Sequence, residues 1–362
     1  MIKNIQYKKL GEICDFISGG TPSKSKNEYW KNGNIPWIKI SDFKEKYIKC
    51  SDEKITKNGL ENSSAKLLKK GTILYTIFAS VGKVAILDIE ATTNQAIVGV
   101  NLKENNLVDK DFLYYFLCSI ENNIKRQARG VAQNNINISI LKNVCIPILP
   151  ISSQKNIVKT LMRLEDILEN FKQKQILINF LNKSLFTTMF GDIKTNDKNW
   201  EIYYWKDVLN IKNGKNQKQV EDINGKYPIY GSGGIIGRSN AYICNENSII
   251  IGRKGNINKP ILVKEKFWNV DTAFGLEVKS EKMSYHYLYY FCLFYDFEIH
   301  NKAVTIPSLV KSDLEKIVLP VPPIELQNKF AERIEKIEKL KFIFGSPLIS
   351  TTFKNSYKKV SA

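Results

Sequence analysis

The chain repeats part of its own sequence, and this repeat constrains the fold more than any other feature. Leu141, Pro147, Pro150 and Gln154 each have an identical residue 173 positions later, the last of them at Gln327. Self-similarity at a constant spacing is the signature of one structural unit that is used more than once. The sequence therefore predicts two related domains in one chain.

Further matches precede this shared tail, in the same order in both copies. They comprise the opening residues, an apolar run, the polar residues after it, an aromatic stretch and the start of the tail. In the first copy they are Leu10–Ile13, Gly71–Leu74, Asn94–Ala96, Asp111–Phe116 and Gly130–Ile136; in the second they are Trp205–Val208, Ser248–Ile251, Asp271–Ala273, Tyr287–Phe291 and Ala303–Leu309. Short apolar strands alternate with Gly/Asn loops and helices in both copies. We therefore predict a mixed α/β (α+β) fold, with the aromatic stretches in its cores.

Each tail leads into a long helical pattern. The side chains of one helix face recur at steps of four and three, which is the spacing of a coiled-coil seam. The predicted seam is Leu161, Leu164, Leu168, Phe171, Gln175, Ile178, Asn182 and Leu185 in the first helix, and Phe330, Ile334 and Ile337 in the second. Polar residues at such positions, here a glutamine and an asparagine, can fix the register of pairing. A long helix that packs on its own domain is the alternative.

These patterns divide the chain into four segments. We predict a first domain at 1–150, a central long helix at 151–191, a second domain at 196–323 and a C-terminal helix at 324–362. The sequence Gly345-Ser346-Pro347 interrupts the last helix, because proline cannot continue one.

The charge of the chain favours a polyanionic partner. It has 54 Lys and Arg against 36 Asp and Glu, a net charge of +18. Nucleic acid is the commonest polyanion for such a protein, and lysines that only keep it soluble are the alternative. Six scattered cysteines and two histidines form no zinc or disulfide pattern. No apolar run is long enough for a membrane, so we expect a cytoplasmic protein without a membrane partner.

Catalytic motifs are largely missing. The segment Gly252–Asn256 lacks the spacing of a phosphate-binding loop. Asp271, Glu277 and Lys279 loosely fit the metal site of many nucleases, in which carboxylates hold a hard cation. The first half does not preserve this set, since we align its positions with Asn94, Val100 and Leu102. A metal-dependent nuclease is thus one alternative function, and a tandem scaffold that binds only protein is another.

Glycine-containing loops with nearby cations fit DNA better. Glycine lets the backbone approach a phosphate, Arg and Lys contact phosphates, and Ser and Asn can read base edges. The candidates in the first half are Ser18, Gly19, Thr21, Lys24, Trp37, Lys39, Lys83, Arg126, Arg129 and Gln133. Those in the second half are Lys215, Tyr230, Ser232, Gly233, Arg238, Arg253, Lys254, Asn256 and Lys302. Ordinary glycine turns with solvated lysines are the alternative.

Over nearly its whole length the chain resembles the specificity subunit of type I restriction–modification enzymes. The resemblance rests on Gly130–Ile136 with Leu141–Gln154, on Val304–Gln327, on Tyr230–Gly237, and on Ile251–Asn256 with Asp271–Ala273. It implies a non-enzymatic subunit whose two target-recognition domains each bind one half of a bipartite site in double-stranded DNA. The long helices would pack antiparallel, set the spacing and dock methyltransferase subunits, in two copies, and a restriction subunit would join them. S-adenosylmethionine, ATP and magnesium would belong to those partners.

The chain also departs from the family pattern. In its second tail Thr305-Ile306-Pro307 replaces Ala132-Gln133-Asn134, so the role of Gln133 is not carried over. Base contacts are not inherited either, because such domains diverge in order to read different sequences. Since the loops of the halves differ, we expect an asymmetric site. A helix over 152–190 would be about 55–60 Å long at 1.5 Å per residue, enough to hold two readers more than one DNA turn apart.

Overall fold

The computed structural model describes residues 5–103, 107–128, 136–301, 303 and 305–344. The chain divides into two compact units. The first comprises the described residues up to Glu169, and the second runs from Asn170 through Phe344. No helix in these ranges is long and apolar enough to cross a membrane.

Among its described residues, the first unit contains ten strands. It also contains the start of a 40-residue helix. The strands are β1 (Gln6–Lys9), β2 (Cys14–Ser18), β3 (Ile35–Ile38), β4 (Tyr47–Ile48), β5 (Lys54–Ile55), β6 (Ile73–Thr76), β7 (Val84–Leu87), β8 (Thr92–Thr93), β9 (Ile97–Leu102) and β10 (Cys145–Ile148). The helices are α1 (Leu10–Ile13), α2 (Lys57–Glu61), α3 (Lys110–Ser119), α4 (Glu121–Ala128), α5 (Ile138–Asn143) and α6 (Ile151–Phe190), which continues into the second unit. Two 3-10 helices cover Asn27–Tyr29 and Ile40–Asp42.

The second unit follows the same order of elements. Its strands are β11 (Glu201–Tyr204), β12 (Leu209–Asn213), β13 (Tyr227–Gly231), β14 (Gly234–Ser239), β15 (Ser248–Gly252), β16 (Ile261–Val263), β17 (Trp268–Asn269), β18 (Ala273–Val278) and β19 (Val318–Val321). Its helices are α7 (Trp205–Val208), α8 (Tyr285–Phe294), α9 (Lys311–Leu314) and α10 (Ile324–Phe344), with a 3-10 helix at Phe297–His300.

Both units have the same sheet topology. The main sheet has the strand order β2-β9-β6-β7 in the first unit, where β4 extends it, and β12-β18-β15-β16 in the second. A smaller sheet has the order β5-β3-β8 and β14-β13-β17, and a two-stranded sheet pairs β1 with β10 and β11 with β19. The predicted mixed α/β fold with two related domains is confirmed.

The strand register corrects the alignment of the two copies. Leu102 lies opposite Cys14, and Val278 lies opposite Leu209, at the start of the equivalent strands β2 and β12. Equivalent residues of β9 and β18 are therefore 176 positions apart. It follows that Lys103 is the counterpart of Lys279, and that the alignment of Lys279 with Leu102 is wrong by one residue.

The aromatic stretch of each copy is a buried helix. The Asp109 carboxylate accepts a hydrogen bond from the Phe112 N–H at the start of α3, and the Ser284 hydroxyl accepts one from the Tyr287 N–H at the start of α8. Such caps stabilise a helix by about 1 kcal/mol. Phe112 and Phe291 are buried among apolar residues of their own units. The stretches thus lie in the cores, as predicted.

A buried glutamine ties α6 to the segment that starts α3. The side-chain oxygen of Gln154 accepts a hydrogen bond from the Asp109 N–H at 2.8 Å. Its amide nitrogen donates to the carbonyl oxygens of Leu107 at 2.8 Å and Leu149 at 2.7 Å. This one side chain therefore provides hydrogen-bond partners for three backbone groups. Those groups would otherwise be buried without a partner, which costs free energy of folding.

The repeated glutamine does the same in the second unit. The side-chain oxygen of Gln327 accepts a hydrogen bond from the Ser284 N–H at 2.8 Å. Its amide nitrogen donates to the carbonyl oxygens of Lys282 at 2.9 Å and Pro322 at 2.7 Å. In each unit the repeated glutamine therefore holds the start of a long helix to the segment before an aromatic helix. We call these two glutamines the Gln154 tie and the Gln327 tie.

Within the second unit, the end of α6 packs antiparallel against α10. The ring centroids of Phe186 and Phe190 lie 5.6 and 5.0 Å from that of Phe330. One turn earlier in α6, the Asn182 amide nitrogen lies 3.2 Å from a carboxylate oxygen of Glu338, which is later in α10. The two helices therefore run in opposite directions where they meet, as predicted. Edge-to-face ring pairs of this kind add about 0.5–1.5 kcal/mol each beyond the area that they bury.

Candidate nucleic-acid interface

In the second unit, the glycine-rich segment Tyr230–Gly237 is a β-hairpin. Strands β13 and β14 pair as far as Gly231 and Gly234, and Ser232 and Gly233 form the two-residue connection. Gly234 has a φ of 124°, a conformation that favours glycine. A side chain at Gly234 would have no neighbour within 4 Å. The backbone conformation, and not packing, therefore requires this glycine.

A second exposed loop, which we call the basic loop (Gly252–Asn256), follows β15. The N–H groups of Arg253 and Lys254 both donate to the Thr272 carbonyl oxygen, at 2.8 and 3.2 Å. Gly255, with a φ of 80°, donates its N–H to the Pro307 carbonyl oxygen at 3.0 Å. These backbone contacts fix the loop, and its side chains from Arg253 to Asn256 are exposed.

The side chains of the basic loop give the second unit an exposed cationic surface. Arg253, Lys254 and Asn256 are all exposed, and so is Lys215. In the described ranges, no carboxylate oxygen lies within 4 Å of the charged group of any of these three cations. The Asn256 amide nitrogen lies 3.6 Å from where a Gly233 side chain would begin, so the loop adjoins the hairpin tip. Unpaired cations beside an amide are groups that contact phosphates and base edges.

The first unit has a loop that makes the same pair of backbone hydrogen bonds. Ile77 donates its N–H to the Ala96 carbonyl oxygen and accepts from the Ile136 N–H, and Arg253 makes the equivalent bonds with Thr272 and Leu309. Ala79, at the position of Gly255, also has a positive φ, of 59°. We call residues 77–80 the equivalent loop. It carries Phe78 and Ser80 in place of Lys254 and Asn256.

Two of the predicted lysines of the first unit, Lys24 and Lys39, are paired with an acid. Lys24 Nζ lies 2.7 Å from one carboxylate oxygen of Glu53, and Lys39 Nζ lies 2.5 Å from the other. Hydrogen bonds from Lys24 and Lys39 hold the pKa of Glu53 below its ordinary value, and the bond to Glu53 raises the pKa of Lys39. We call these residues the Lys–Glu–Lys cluster. Sequence reasoning missed Glu53, because it stands 29 and 14 residues from its partners and belongs to no local motif.

Two predicted contacts of the first unit serve the fold instead. Trp37 is only 3% exposed and its indole N–H donates to the Gly20 carbonyl oxygen at 2.9 Å, so the prediction that Trp37 contacts DNA is wrong. A side chain at Gly19 would collide with the carbonyl oxygen of Asn94. Close packing, rather than approach to a phosphate, therefore explains this glycine.

Two predicted DNA contacts in the hairpin, Arg238 and Tyr230, make contacts within the second unit. The Arg238 guanidinium donates to the carbonyl oxygens of Gly225 at 2.6 Å and Lys226 at 2.7 Å, and so braces the open end of the hairpin. Tyr230 is half-buried, with its ring centroid 5.6 Å from that of Phe267, and burial raises the pKa of its hydroxyl. The sequence did not predict these two roles.

The remaining candidates of the first unit lie at its surface or outside the described residues. Ser18 and Lys83 are exposed, and the Thr21 hydroxyl bonds to the Gln95 side chain. Arg126 lies in α4, where its side chain is not described. Arg129 and Gln133 fall outside the described residues, as do the second unit's candidate Lys302 and the helix interruption Gly345-Ser346-Pro347. Their roles in DNA binding stay predictions.

The lysine of the suggested nuclease set has a structural role that both units share. Lys279 Nζ donates to the Lys206 carbonyl oxygen in α7. Its counterpart Lys103 donates to the Gly11 carbonyl oxygen in α1 at 3.1 Å. Each lysine therefore binds the backbone of the short helix that opens its unit, and the repeat does preserve this residue.

The acids of that set are separately placed. One carboxylate oxygen of Glu277 lies 3.0 Å from Lys212 Nζ and accepts from the Asn245 N–H at 2.8 Å. Asp271 is exposed, and its backbone oxygen lies 3.4 Å from the Arg253 guanidinium. In the part of the chain that the structure describes, no three His, Cys, Asp or Glu side chains are grouped to hold a metal ion. Glu277 and Lys279 are therefore both engaged in contacts within the second unit.

The predicted seam residues are buried or half-buried. Asn182 is buried, and its amide nitrogen donates to the Tyr290 hydroxyl at 3.3 Å and to Glu338 at 3.2 Å. The buried members are Leu161, Asn182, Phe330 and Ile334; the half-buried ones are Leu164, Leu168, Phe171, Gln175, Ile178, Leu185 and Ile337. Opposite this seam, α6 exposes Ile176, Leu177, Phe180 and Leu181, which we call the α6 apolar face.

Comparison with known proteins places these features in one family. The model of the type I restriction modification DNA specificity domain matches residues 2–179 and again residues 197–344. The MjaIX specificity subunit of a type I restriction enzyme from Methanocaldococcus jannaschii is 27% identical over 92% of this chain and 87% of its own length. The EcoR124I/EcoR124II specificity subunit of Escherichia coli is 32% identical over 57% of this chain and 48% of its own length.

Solved structures show the same fold. The S subunit of a type I restriction–modification system from M. genitalium superposes with a TM-score of 0.62 at 19% identity, over 99% of this chain and 97% of that one. A chain from a structure of complex assembly and conformational transition in the type I R-M system gives a TM-score of 0.51 at 16% identity, over 99% and 96%.

Proposed function

Because the chain belongs to the type I restriction–modification DNA specificity family, we propose that its two units each read one half of an asymmetric, two-part DNA site. The family resemblance inferred from the sequence is confirmed, and with it the role of a DNA specificity subunit rather than an enzyme. In the proposed division of work, the first unit would read one half-site and the second unit the other.

One observation carries this proposal: two loops that share a pair of backbone hydrogen bonds carry different side chains. The basic loop exposes Arg253, Lys254 and Asn256, whereas the equivalent loop has Phe78, which packs against the core of its unit, and Ser80. A shared backbone would place both loops against DNA in the same way, while different side chains would select different bases. Two unlike half-sites follow from this difference.

Mapping of DNA methylation tests the proposal. Cells that carry this chain and its methyltransferase partner should methylate an asymmetric two-part motif with a fixed gap, and deletion of this chain alone should abolish it. Exchange of residues 1–150 or 196–323 with those of a relative should then change one half of the motif each. Methylation that survives the deletion, or exchanges that alter both halves, would contradict the division of work.

We propose further that the helices dock the partner subunits. The α6 apolar face is suited to this because its large apolar side chains are exposed to solvent. Phe180 is 71% exposed and Leu177 is 64% exposed. Exposed apolar patches rimmed by polar residues mark protein-binding surfaces. Two methyltransferase subunits would bind the helices and a restriction subunit would join the complex. S-adenosylmethionine, ATP and magnesium would then be bound by those partners, and the residues of this chain would contact DNA.

Co-purification tests the docking. The double variant Leu177→Ser with Phe180→Ser should lose the methyltransferase subunit, because each change removes apolar area from the interface. Asn179→Ser, on an exposed position of the same helix, is the matched control and should retain it. A double variant that holds the methyltransferase in the normal ratio would exclude this face as the docking surface.

A further inference from the structure

Two isoleucines stand exposed at the tip of the second unit's hairpin. Ile235 is 62% and Ile236 is 55% exposed, and Gly234 alone separates them from the Ser232-Gly233 connection. Large apolar side chains in water forgo the free energy that burial would give, about 1.5–3 kcal/mol each. A pair at a hairpin tip therefore suggests a surface that is covered when the protein binds its partner.

The hairpin contains a bulge at this point. Ile229 lies opposite Gly237 and Tyr230 lies opposite Ile235, so that Ile236 is the extra residue between the two pairs. A bulge re-aims side chains and is common next to functional sites. Ile236 comes to lie over Gly231, where a side chain would begin 3.7 Å from its γ2 carbon. That distance is an ordinary van der Waals contact, so the Ile236 side chain lies beside the Gly231 backbone at the surface.

The surroundings of the pair are polar and include the cations of the basic loop, together with Glu221, whose carboxylate oxygen lies 3.0 Å from where a Gly237 side chain would begin. The hairpin tip adjoins the basic loop through Gly233 and Asn256. Arg253 and Lys254 are exposed there, with no carboxylate within 4 Å among the described residues. A partner that covers the two isoleucines needs apolar groups. A partner that also contacts Arg253 and Lys254 needs negative charge close to those groups. DNA does so in its major groove, where the thymine C5-methyl is the apolar group on the base edges.

Building on the proposed function, we propose that Ile235 and Ile236 contact thymine methyl groups in the half-site of the second unit. The hairpin tip then enters the major groove while Arg253 and Lys254 hold the flanking phosphates. Apolar contact discriminates thymine from the other bases without any hydrogen bond. Insertion of the isoleucines between base pairs as a wedge is the competing geometry, and it does not depend on the methyl group.

Replacement of thymine by uracil tests this directly, since it removes only the methyl group. The probe is a duplex that carries the mapped motif, bound to the complex of the full chain with its methyltransferase. Each deoxyuridine at a contacted position of the second half-site should weaken binding about fourfold, the equivalent of one buried carbon. The same change in the first half-site is the internal control. A second half-site without any A·T pair, or one that tolerates uracil throughout, overturns the proposal.

Variants separate the contact from the fold. Ile235→Ala with Ile236→Ala should bind thymine and uracil duplexes equally, while unchanged recognition of the first half-site shows that the chain is folded. Ile223→Ala is the matched control, because Ile223 is 88% exposed in the turn at the opposite end of the hairpin. It should keep the preference for thymine. A double variant that keeps that preference overturns the proposal, yet leaves the two-part motif, and so the proposed function, intact.

Discussion

The basic loop of the second unit and the equivalent loop of the first share a backbone but differ in charge. Arg253 and Ile77 make the same pair of backbone hydrogen bonds, and Gly255 and Ala79 both take a positive φ. The basic loop nevertheless carries two unpaired cations, whereas the equivalent loop carries none. The fold thus fixes where a loop lies and leaves its side chains free to vary.

The first unit carries its cations elsewhere, and in a different state. Lys24 and Lys39 both bond to Glu53, so that the Lys–Glu–Lys cluster has a net charge of +1 where the basic loop has +2. Paired lysines are held in place, and unpaired ones are free to move to a phosphate. Two units with one sheet topology thus carry different charge, and their cations differ in whether a carboxylate pairs with them.

The largest expected effect tests whether the buried glutamine stabilises both units equally. Gln154→Met and Gln327→Met should each lower the free energy of unfolding of their own unit by about 3 kcal/mol or more, because three buried backbone groups lose their partner. Hydrogen exchange, followed separately in each unit, measures this in a chain of two units. Gln6→Met, at an exposed glutamine, is the control. If one variant greatly lowered the free energy of unfolding of its unit and the other did not, the two glutamines would not be equivalent.

The next effect tests the difference in charge. Arg253→Gln with Lys254→Gln should weaken DNA binding about tenfold and reduce the slope of log affinity against log salt by about two, as two phosphate contacts are lost. Lys24→Gln with Lys39→Gln should change the slope by less than one, because Glu53 already neutralises part of their charge. Salt titrations of the complex measure both slopes. Equal changes would show that the lysines of the first unit leave Glu53 when DNA binds.

A smaller effect concerns the left-handed residue of each loop. Gly255→Ala should destabilise the second unit by about 1 kcal/mol, because a left-handed backbone costs an L-residue this much and no packing compensates for it. Ala79→Gly in the first unit should be neutral or slightly stabilising, since it relieves the same cost. Thermal unfolding of the two variants compares them. Destabilisation by Ala79→Gly would show that the alanine methyl group makes a contact that offsets its strain.

The framework could be predicted from the sequence because it rests on periodic or repeated residues. The constant spacing between Gln154 and Gln327 gave two domains, and the steps of four and three gave α6 and α10. The register of β9 and β18 could not be fixed to one residue, since the loops before them differ in length. Lys279 was therefore compared with Leu102 and not with Lys103.

The site was harder to predict because its partners are distant in the chain. Nothing near Trp37 shows that its indole bonds to Gly20, and nothing near Lys24 shows that Glu53 neutralises it. The basic loop was found, since glycines and cations stand together in it. A local motif can thus reveal an exposed loop, but burial and charge pairing depend on the folded chain.

A change of one charge should make the first unit resemble the second. Glu53→Gln raises the net charge of the Lys–Glu–Lys cluster from +1 to +2 and frees both lysines. We expect binding to unrelated DNA to strengthen by a few fold and the salt slope to grow by up to one. Glu61→Gln, in the exposed pair with Lys57, is the control. An unchanged slope would mean that the cluster lies away from the DNA.

The smallest effect is the pH dependence of the same cluster. Because the lysines hold the pKa of Glu53 below its ordinary value of 4.5, their attraction stabilises the first unit above that pH. The stabilisation is lost as the pH falls below 4.5 and through the lowered pKa, where the carboxylate takes up a proton in the folded state too. In thermal unfolding between about pH 3 and pH 6, the wild type should therefore lose slightly more stability on acidification than Glu53→Gln. Parallel curves would show that solvent screens the cluster, and the difference between the two units would then lie in the geometry of their cations alone.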